Sequence, residues 1–163
     1  MIPELLTKIA NIDQDWIKET HALLHASPQI FFVGNGGSAA IASHMAIDWT
    51  KNGRVRSFAL NDPSALSCLA NDLGYEQVFS WQLERRVTPS SAVVCISSSG
   101  RSPNILNAAR TAKELGGIVI TLSGFDADNP LRRLGDTGLH IDSRDYGVIE
   151  CAHLAALHAM VAP

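Results

Sequence analysis

Two short, wholly apolar runs, Ile30-Phe31-Phe32-Val33 and Ala92-Val93-Val94-Cys95-Ile96, each end in a loop of glycines or serines that opens onto a helical pattern. A run without polar alternation needs burial on both faces, a condition met by strands inside a parallel sheet covered by helices on both sides. The rest of the chain repeats the alternation. Residues 3 to 25 carry Leu5, Ile9, Ile12, Trp16, Ile17, Leu23 and Leu24 at mostly three- and four-residue steps, which predicts one amphipathic helix closed by Ser27-Pro28. Helical spacing follows over 38 to 50, 63 to 73, 75 to 87 and 103 to 115, the last closed by Gly116-Gly117. Strands are predicted over Val55 to Leu60, Ile118 to Leu122 and, after a loop with Asp126, Asp128 and Asn129-Pro130, near Leu139 to Asp142. A last helix covers 148 to 161 and is still apolar at Met160 and Val161, so it either continues in a longer chain or finishes its packing on another subunit. Alternating strands and helices define an α/β fold with right-handed crossovers. No Pro/Ser linker, repeat or low-complexity tract divides the chain, so residues 1–163 are expected to form one domain with an N-terminal helix.

Composition narrows the partners. With 46% apolar and 18% charged residues and a net charge of −3, the 163-residue chain is neither disordered nor a coiled coil, and it is long enough to build a core without metal or disulfide staples. Lys and Arg never run longer than the pairs Arg85-Arg86 and Arg132-Arg133, which leaves no footprint for nucleic acid. No apolar stretch approaches the roughly 18 to 20 residues of a membrane span, and no basic-apolar leader is visible, so a soluble, unprocessed, cytoplasmic chain is expected. Cys68, Cys95 and Cys151 are odd in number, far apart and set in apolar stretches, which reads as reduced core thiols. Trp16, Trp49 and Trp81 read as packing residues. His140 and His153 lack a partner at motif spacing and read as satisfied core or surface histidines.

Chemistry concentrates in two loops at strand ends. Gly34-Asn35-Gly36-Gly37-Ser38 lets the backbone approach a ligand and feeds a helix N-terminus. Ser97, Ser98, Ser99 and Ser102 gather hydroxyls and N–H groups before a helix starting at Pro103, more donors than an N-cap needs, and so form a nest suited to phosphate. A triphosphatase is disfavoured because GxxxxGK[ST] is absent; a dinucleotide enzyme is disfavoured because Ala39 replaces the third glycine and no strand-end acid lies between Val55 and Leu60. His44 and Asp48, four apart, share a helix face. Glu150 and His158, eight apart, are about 12 Å of helical rise from each other, so either the helix begins after Glu150 or the two serve sites in different subunits.

Taken in order, Gly34 to Ser38, His44 with an acid at 48, Asn71-Asp72, Ile96 to Ser102, Glu150 and His158 resemble the sugar isomerase (SIS) phosphosugar-binding family, and within it the phosphoheptose isomerases, over about residues 29 to 161. The resemblance implies a five-stranded flavodoxin-like three-layer α/β/α sandwich and a homotetramer with active sites at subunit contacts. It implies conversion of sedoheptulose 7-phosphate to D-glycero-D-manno-heptose 7-phosphate for lipopolysaccharide heptose. Carried over by position, substrate contacts fall on Asn35, Gly36, Gly37, Ser38, Asn71, Asp72, Ser97, Ser98, Ser99, Ser102 and Glu150. Metal contacts, for one Zn²⁺ per subunit, fall on His44, Asp48, Glu150 and His158, with Asp48 and His158 as the catalytic acid/base pair.

Two positions depart from the family, which usually has glutamate where Asp48 stands and glutamine where Glu150 stands. Asp48 reaches about an ångström less, a displacement that matters to a proton acceptor, while Glu150 adds a charge. The expected chemistry is an aldose–ketose isomerisation through an enediol(ate), with Asp48, His158 and His44 facing one crevice near the C-terminal edge of the sheet. The alternatives are a non-catalytic SIS protein that senses phosphosugars or binds a replication initiator, and an isomerase of another sugar phosphate.

Overall fold

The two apolar runs are neighbours in space. In the computed structural model, which describes residues 1–161, β1 (Ile30–Gly34) pairs in parallel with β3 (Ala92–Ser97), Phe32 beside Val94, and every residue of both strands is buried. β2 (Ser57–Ala59) lies outside β1, and β4 (Ile118–Gly124) and β5 (Thr137–Ile141) extend the sheet beyond β3, all parallel, in the order β2-β1-β3-β4-β5. This is the flavodoxin-like order, as the resemblance implied.

The pleat sends alternate residues to opposite layers. Ile30, Phe32, Val94, Ile96, Ile120 and Leu122 pack under α1 (Ile2–Ala10), α2 (Gln14–Ala26), α3 (Gly37–Lys51) and α8 (Tyr146–Val161). Phe31, Val33, Val93, Cys95 and Val119 pack under α4 (Pro63–Leu73), α5 (Ser80–Leu83), α6 (Pro103–Glu114) and α7 (Pro130–Leu134). Each fully buried Phe or Ile of the central strands is worth about 1.5–3 kcal/mol of transfer from water.

The structure corrects several expectations. The segment from 3 to 25 is two helices, because the Asp13 carboxylate caps a new one by accepting the N–H groups of Asp15 and Trp16. The segment from 75 to 87 is a 3₁₀ turn (Tyr75–Gln77) and the short α5; Gly74, at φ 92°, breaks the path from α4. The loop after β4 contains α7, capped by the Asn129 side chain on Arg132 N–H. The predicted strand over 55 to 60 narrows to three residues. Of the cysteines, only Cys95 is in the core; Cys68 and Cys151 are exposed on helices. Met160 and Val161 are buried within the chain itself, under α2, whose His21 Nδ1 lies 2.7 Å from Met160 O. Of the tryptophans, Trp49 is fully buried and Trp16 is half-buried, its Nε1 donating to Thr137 Oγ1 at 2.9 Å.

His153 is a core histidine, though not a satisfied one. It is fully buried with Nε2 3.1 Å from Ser123 O, and Nδ1 has no partner among the described residues. Burial pulls this imidazole from 6.5 to about 4. A folded-state value below the unfolded one means the unfolded chain binds the proton first, so stability present above pH 6.5 is lost as pH falls toward 4. Urea denaturation from pH 7 to pH 4 is expected to show a loss on the order of 3 kcal/mol from this residue. His153→Leu should flatten that part of the profile; an unaltered slope would contradict the assignment.

Candidate active site

In this all-parallel sheet the order of strand addition reverses between β1 and β3, and the loops leaving their carboxyl ends diverge to opposite layers, which opens a crevice. A cleft of about 260 Å³ occupies it, lined by Asn35, Gly36, Gly37, Ser38, the Ile96–Ser99 segment and Ser102, with Tyr146 and Glu150 from α8. The chain thus brings both sequence-predicted loops to one place.

The serine side is built around α6. Pro103 is the first helical residue and Ser102 the N-cap, yet the Ser102 side chain makes no capping bond; its Oγ turns to Ser97 Oγ at 3.2 Å. A plain serine cap is therefore excluded as the reason for these residues. Ser99 Oγ accepts Arg101 N–H at 3.2 Å, and Ser98 O accepts Gly124 N–H at 2.8 Å, which ties the loop to the end of β4. Hydroxyls and the positive end of a 12-residue helix converge on one side of the cleft, an arrangement that favours an anion.

The glycine side differs from the expectation of an open ligand loop. Gly36, at φ 55°, caps α3, and a Cβ at Gly37 would collide with the Glu150 carboxylate. The N-terminus of α3 already faces an anion, and it is the protein's own. Asn35 is bound into a reciprocal amide pair with Asn104, at 3.0 and 2.9 Å, and its Oδ1 also accepts the Tyr75 hydroxyl at 3.0 Å. Asn71 and Asp72, carried over as substrate contacts, are exposed at the end of α4, hydrogen-bonded to each other at 2.9 Å, and are not among the cleft's walls. The turn at Gly74 brings Tyr75, not Asn71, onto Asn35.

The second cluster lies between α3 and α8. His44 Nε2 is 3.2 Å from His158 Nε2, and His158 Nδ1 is 3.2 Å from Asp48 Oδ2; the other Asp48 oxygen accepts Asn52 Nδ2. The network assigns the tautomers. A His158 proton on Nδ1 faces the carboxylate, so its Nε2 accepts from His44. The donor atoms of His44, Asp48 and His158 lie within 4.8 Å of one another. Two imidazole nitrogens 3.2 Å apart match the ~3.3 Å edge of a tetrahedron with zinc–nitrogen bonds of about 2.05 Å, so the two histidines fit a divalent ion, with Asp48 behind them on the other ring nitrogen of His158. Glu150, expected in this set, is not in it. α8 begins at Tyr146, before Glu150, so the carboxylate sits two turns from His158, over Gly37.

His44, Asp48 and His158 meet one another as expected, but part-way down α3 and α8 and not in the cleft near the C-terminal edge of the sheet. α3 and α8 both start at the carboxyl edge of the sheet and run back along it. His44 and Asp48 are seven and eleven residues beyond Gly37, roughly 10 and 16 Å of helical rise. Spacing on a helix face shows which side chains meet, but not how far down the helix they meet. Tyr146 escaped the sequence reading altogether, since a tyrosine at a helix start carries no motif.

Comparison with known proteins agrees with this architecture. Residues 5–124 match the SIS domain family, which defines the class. The phosphoheptose isomerase of Mycobacterium tuberculosis is 36% identical over 141 residues, 83% of this chain and 71% of that protein. That of Helicobacter pylori is 34% identical over 167 aligned residues, 96% of this chain and 86% of that protein. The solved structure of phosphoheptose isomerase GmhA from Neisseria gonorrhoeae superimposes with a TM-score of 0.88 at 32% identity, covering 96% of this chain and 90% of that one. The chain belongs to the SIS-domain family, in its phosphoheptose isomerase branch.

The serine loop makes a direct prediction. Replacing Ser99 and Ser102 together by Ala is expected to weaken inorganic phosphate binding about tenfold or more in calorimetry, as the loss of hydrogen bonds to a charged group implies, with an unchanged melting temperature. Unaltered affinity would remove the anion role.

Proposed function

We propose that the chain is a phosphosugar aldose–ketose isomerase that interconverts sedoheptulose 7-phosphate and D-glycero-D-manno-heptose 7-phosphate through an enediol(ate). The observation that carries the reading is the serine loop, whose hydroxyls, none of them spent on capping α6, stand with the helix N-terminus across a cleft from a second polar wall. It supplies remote binding energy that holds the reacting carbons still. Proton transfer between C1 and C2 then needs a base over the carbon acid and an acid at the carbonyl oxygen, and Asp48 and His158, already paired, are assigned to it. His44 and His158, oriented by Asp48, would hold a zinc ion, which when bound supplies polarisation of the carbonyl.

Because the pair lies two to three helical turns from its own cleft, the site is completed by another copy of the chain, in a homotetramer. The exposed Met1 that precedes α1, Ile2 and Leu6 on α1, and Ile47 on α3, one turn from His44, give such contacts apolar surface. Scattered thiols, two of them exposed, suit the reducing cytoplasm. Among the described residues no helix is long and apolar enough to cross a membrane. A single SIS domain over 1–163 is the proposed unit; residues 162 and 163 lie outside those described.

The test is exchange of the C1 proton in deuterated water across a panel of ketose phosphates, with the heptulose phosphate expected to exchange fastest. Preference for a shorter sugar would move the assignment to another isomerase, and no exchange with retained binding would leave a non-catalytic SIS protein. Asp48→Asn and His158→Ala are each expected to lower exchange by about 10²-fold or more while sugar-phosphate binding stays, because the phosphate is held elsewhere. Asp48→Glu should keep or raise the rate if the shorter acid is a working base.

Subunit sharing has its own readout. Asp48→Asn and Ser99→Ala/Ser102→Ala chains, each impaired alone, should recover activity when co-expressed, up to about one site in four, as random assortment of two halves gives. Absence of recovery would place both halves in one chain.

A further inference from the structure

Beyond the serine loop, the cleft has a wall that no motif announced. Tyr146 is the first residue of α8, lines the cleft, and is 58% exposed. Glu150 lies one turn further along α8 on the same face and lines the cleft with it. An aromatic ring packs on the C–H surface of a sugar and a carboxylate accepts its hydroxyls; opposite a phosphate nest, the two face the carbon chain of a polyol phosphate.

The ring is held in place at a cost. Phe125, directly after β4, has φ 57°, a left-handed conformation that a bulky side chain adopts only when its surroundings enforce it. Its ring meets Tyr146 edge-on, centroids 4.9 Å apart at 70°, and its N–H donates to Ser143 O at 3.0 Å. The segment between β5 and α8 is fastened at Ser143, Arg144 and Asp145. Ser143 Oγ donates to Glu4 at 2.6 Å, Arg144 to Asp126 at 2.6 Å, and the Asp145 carboxylate accepts Gly147 N–H at 2.8 Å. The backbone that carries Tyr146 is thus tied down on both sides of the loop, and Phe125 backs its ring.

We propose that Tyr146 is the residue by which this chain selects its sugar phosphate, reading the length of the carbon chain between the phosphate and the far end of the cleft. Phe125 is the positioning residue that holds it. This rests on the phosphosugar reading above, and it adds a determinant that belongs to this chain's own cleft. Phosphate contact is left to the serines, so a change at Tyr146 alters discrimination among sugars without altering affinity for phosphate itself.

The test uses unreactive ligands, so that binding is read apart from turnover: pentitol, hexitol and heptitol phosphates and inorganic phosphate, titrated calorimetrically into the wild type, Tyr146→Ala, Tyr146→Phe and Phe125→Gly. One added carbon in a fitted pocket discriminates about tenfold or more, and Tyr146→Ala is expected to erase about that much of the length preference, with the phosphate dissociation constant within about twofold of wild type. Tyr146→Phe, which keeps the ring, should retain the preference. Phe125→Gly removes the ring and the backbone strain together; it should lose the preference as Tyr146→Ala does, with the relieved strain offsetting part of the packing lost from the half-buried ring. An unchanged length preference in Tyr146→Ala, or equal weakening of every ligand including phosphate, would overturn the assignment. A wild type that binds none of the polyol phosphates would instead overturn the phosphosugar reading on which it stands.

Discussion

The side-by-side pairing of β1 and β3 is the constraint on which the rest depends. Their alternate side chains form the centre of both apolar layers, Phe32 with Val94 toward α3 and α8, Phe31 with Val93 toward α5 and α6. The chain leaves β1 into one layer and β3 into the other, so the loops after them must part. A crevice at that point is a consequence of topology before any residue is chosen for chemistry. The loops then supply the chemistry, because glycine and serine are what the backbone needs to turn there and what a polar ligand needs to be received.

The fold was legible in the sequence because burial on two faces leaves an apolar signature that burial on one face does not. β1, β3 and β4 were visible as continuous runs. β2, at the edge, was overextended to six residues because its solvent side permits Arg56 and an exposed Phe58, and pairing on one edge only supports three. Capping by a single side chain was harder to see. Asp13 and Asn129 each start a helix that periodicity could not mark, since α1 and α2 share one apolar rhythm across the break and α7 is only five residues long. For the site, His44 and Asp48, four apart on α3, do meet His158, and the serine loop does line the cleft at the carboxyl end of β3. Their separation was not legible, because it depends on where each helix starts along the sheet. The capture of the α3 N-terminus by Glu150 was not legible either, as it depends on two helices in register, with Gly37 level with Glu150 and His44 and Asp48 level with His158.

That register explains how the two departures from the family pattern are accommodated locally. Asp48, one methylene shorter than glutamate, has both carboxylate oxygens engaged, one by His158 Nδ1 and one by Asn52 Nδ2. Asn52 is the C-cap of α3, its own N–H bonded to Asp48 O at 2.8 Å, so the end of the helix folds back to hold the acid. A short carboxylate fixed on two sides loses reach but keeps orientation. The orientation in turn sets the His158 tautomer, with Nε2 left to His44 or to an ion.

Glu150 is the more consequential departure, because it assigns the two helix N-termini of the crevice to different anions. A neutral amide at 150 would leave the α3 N-terminus free to compete for a phosphate; the carboxylate beside Gly37 answers it from within the protein. The α6 N-terminus, with Ser102 turned to Ser97 and away from its own cap, is then the one of the two that faces no carboxylate of the cleft. A ligand with a dianion at one end and hydroxyls along its length has a single favourable direction in such a cleft, phosphate on the serines and polyol toward Glu150, since the reverse would set phosphate against carboxylate. Polarity of binding follows from charge placement, before any contact specific to one sugar is made.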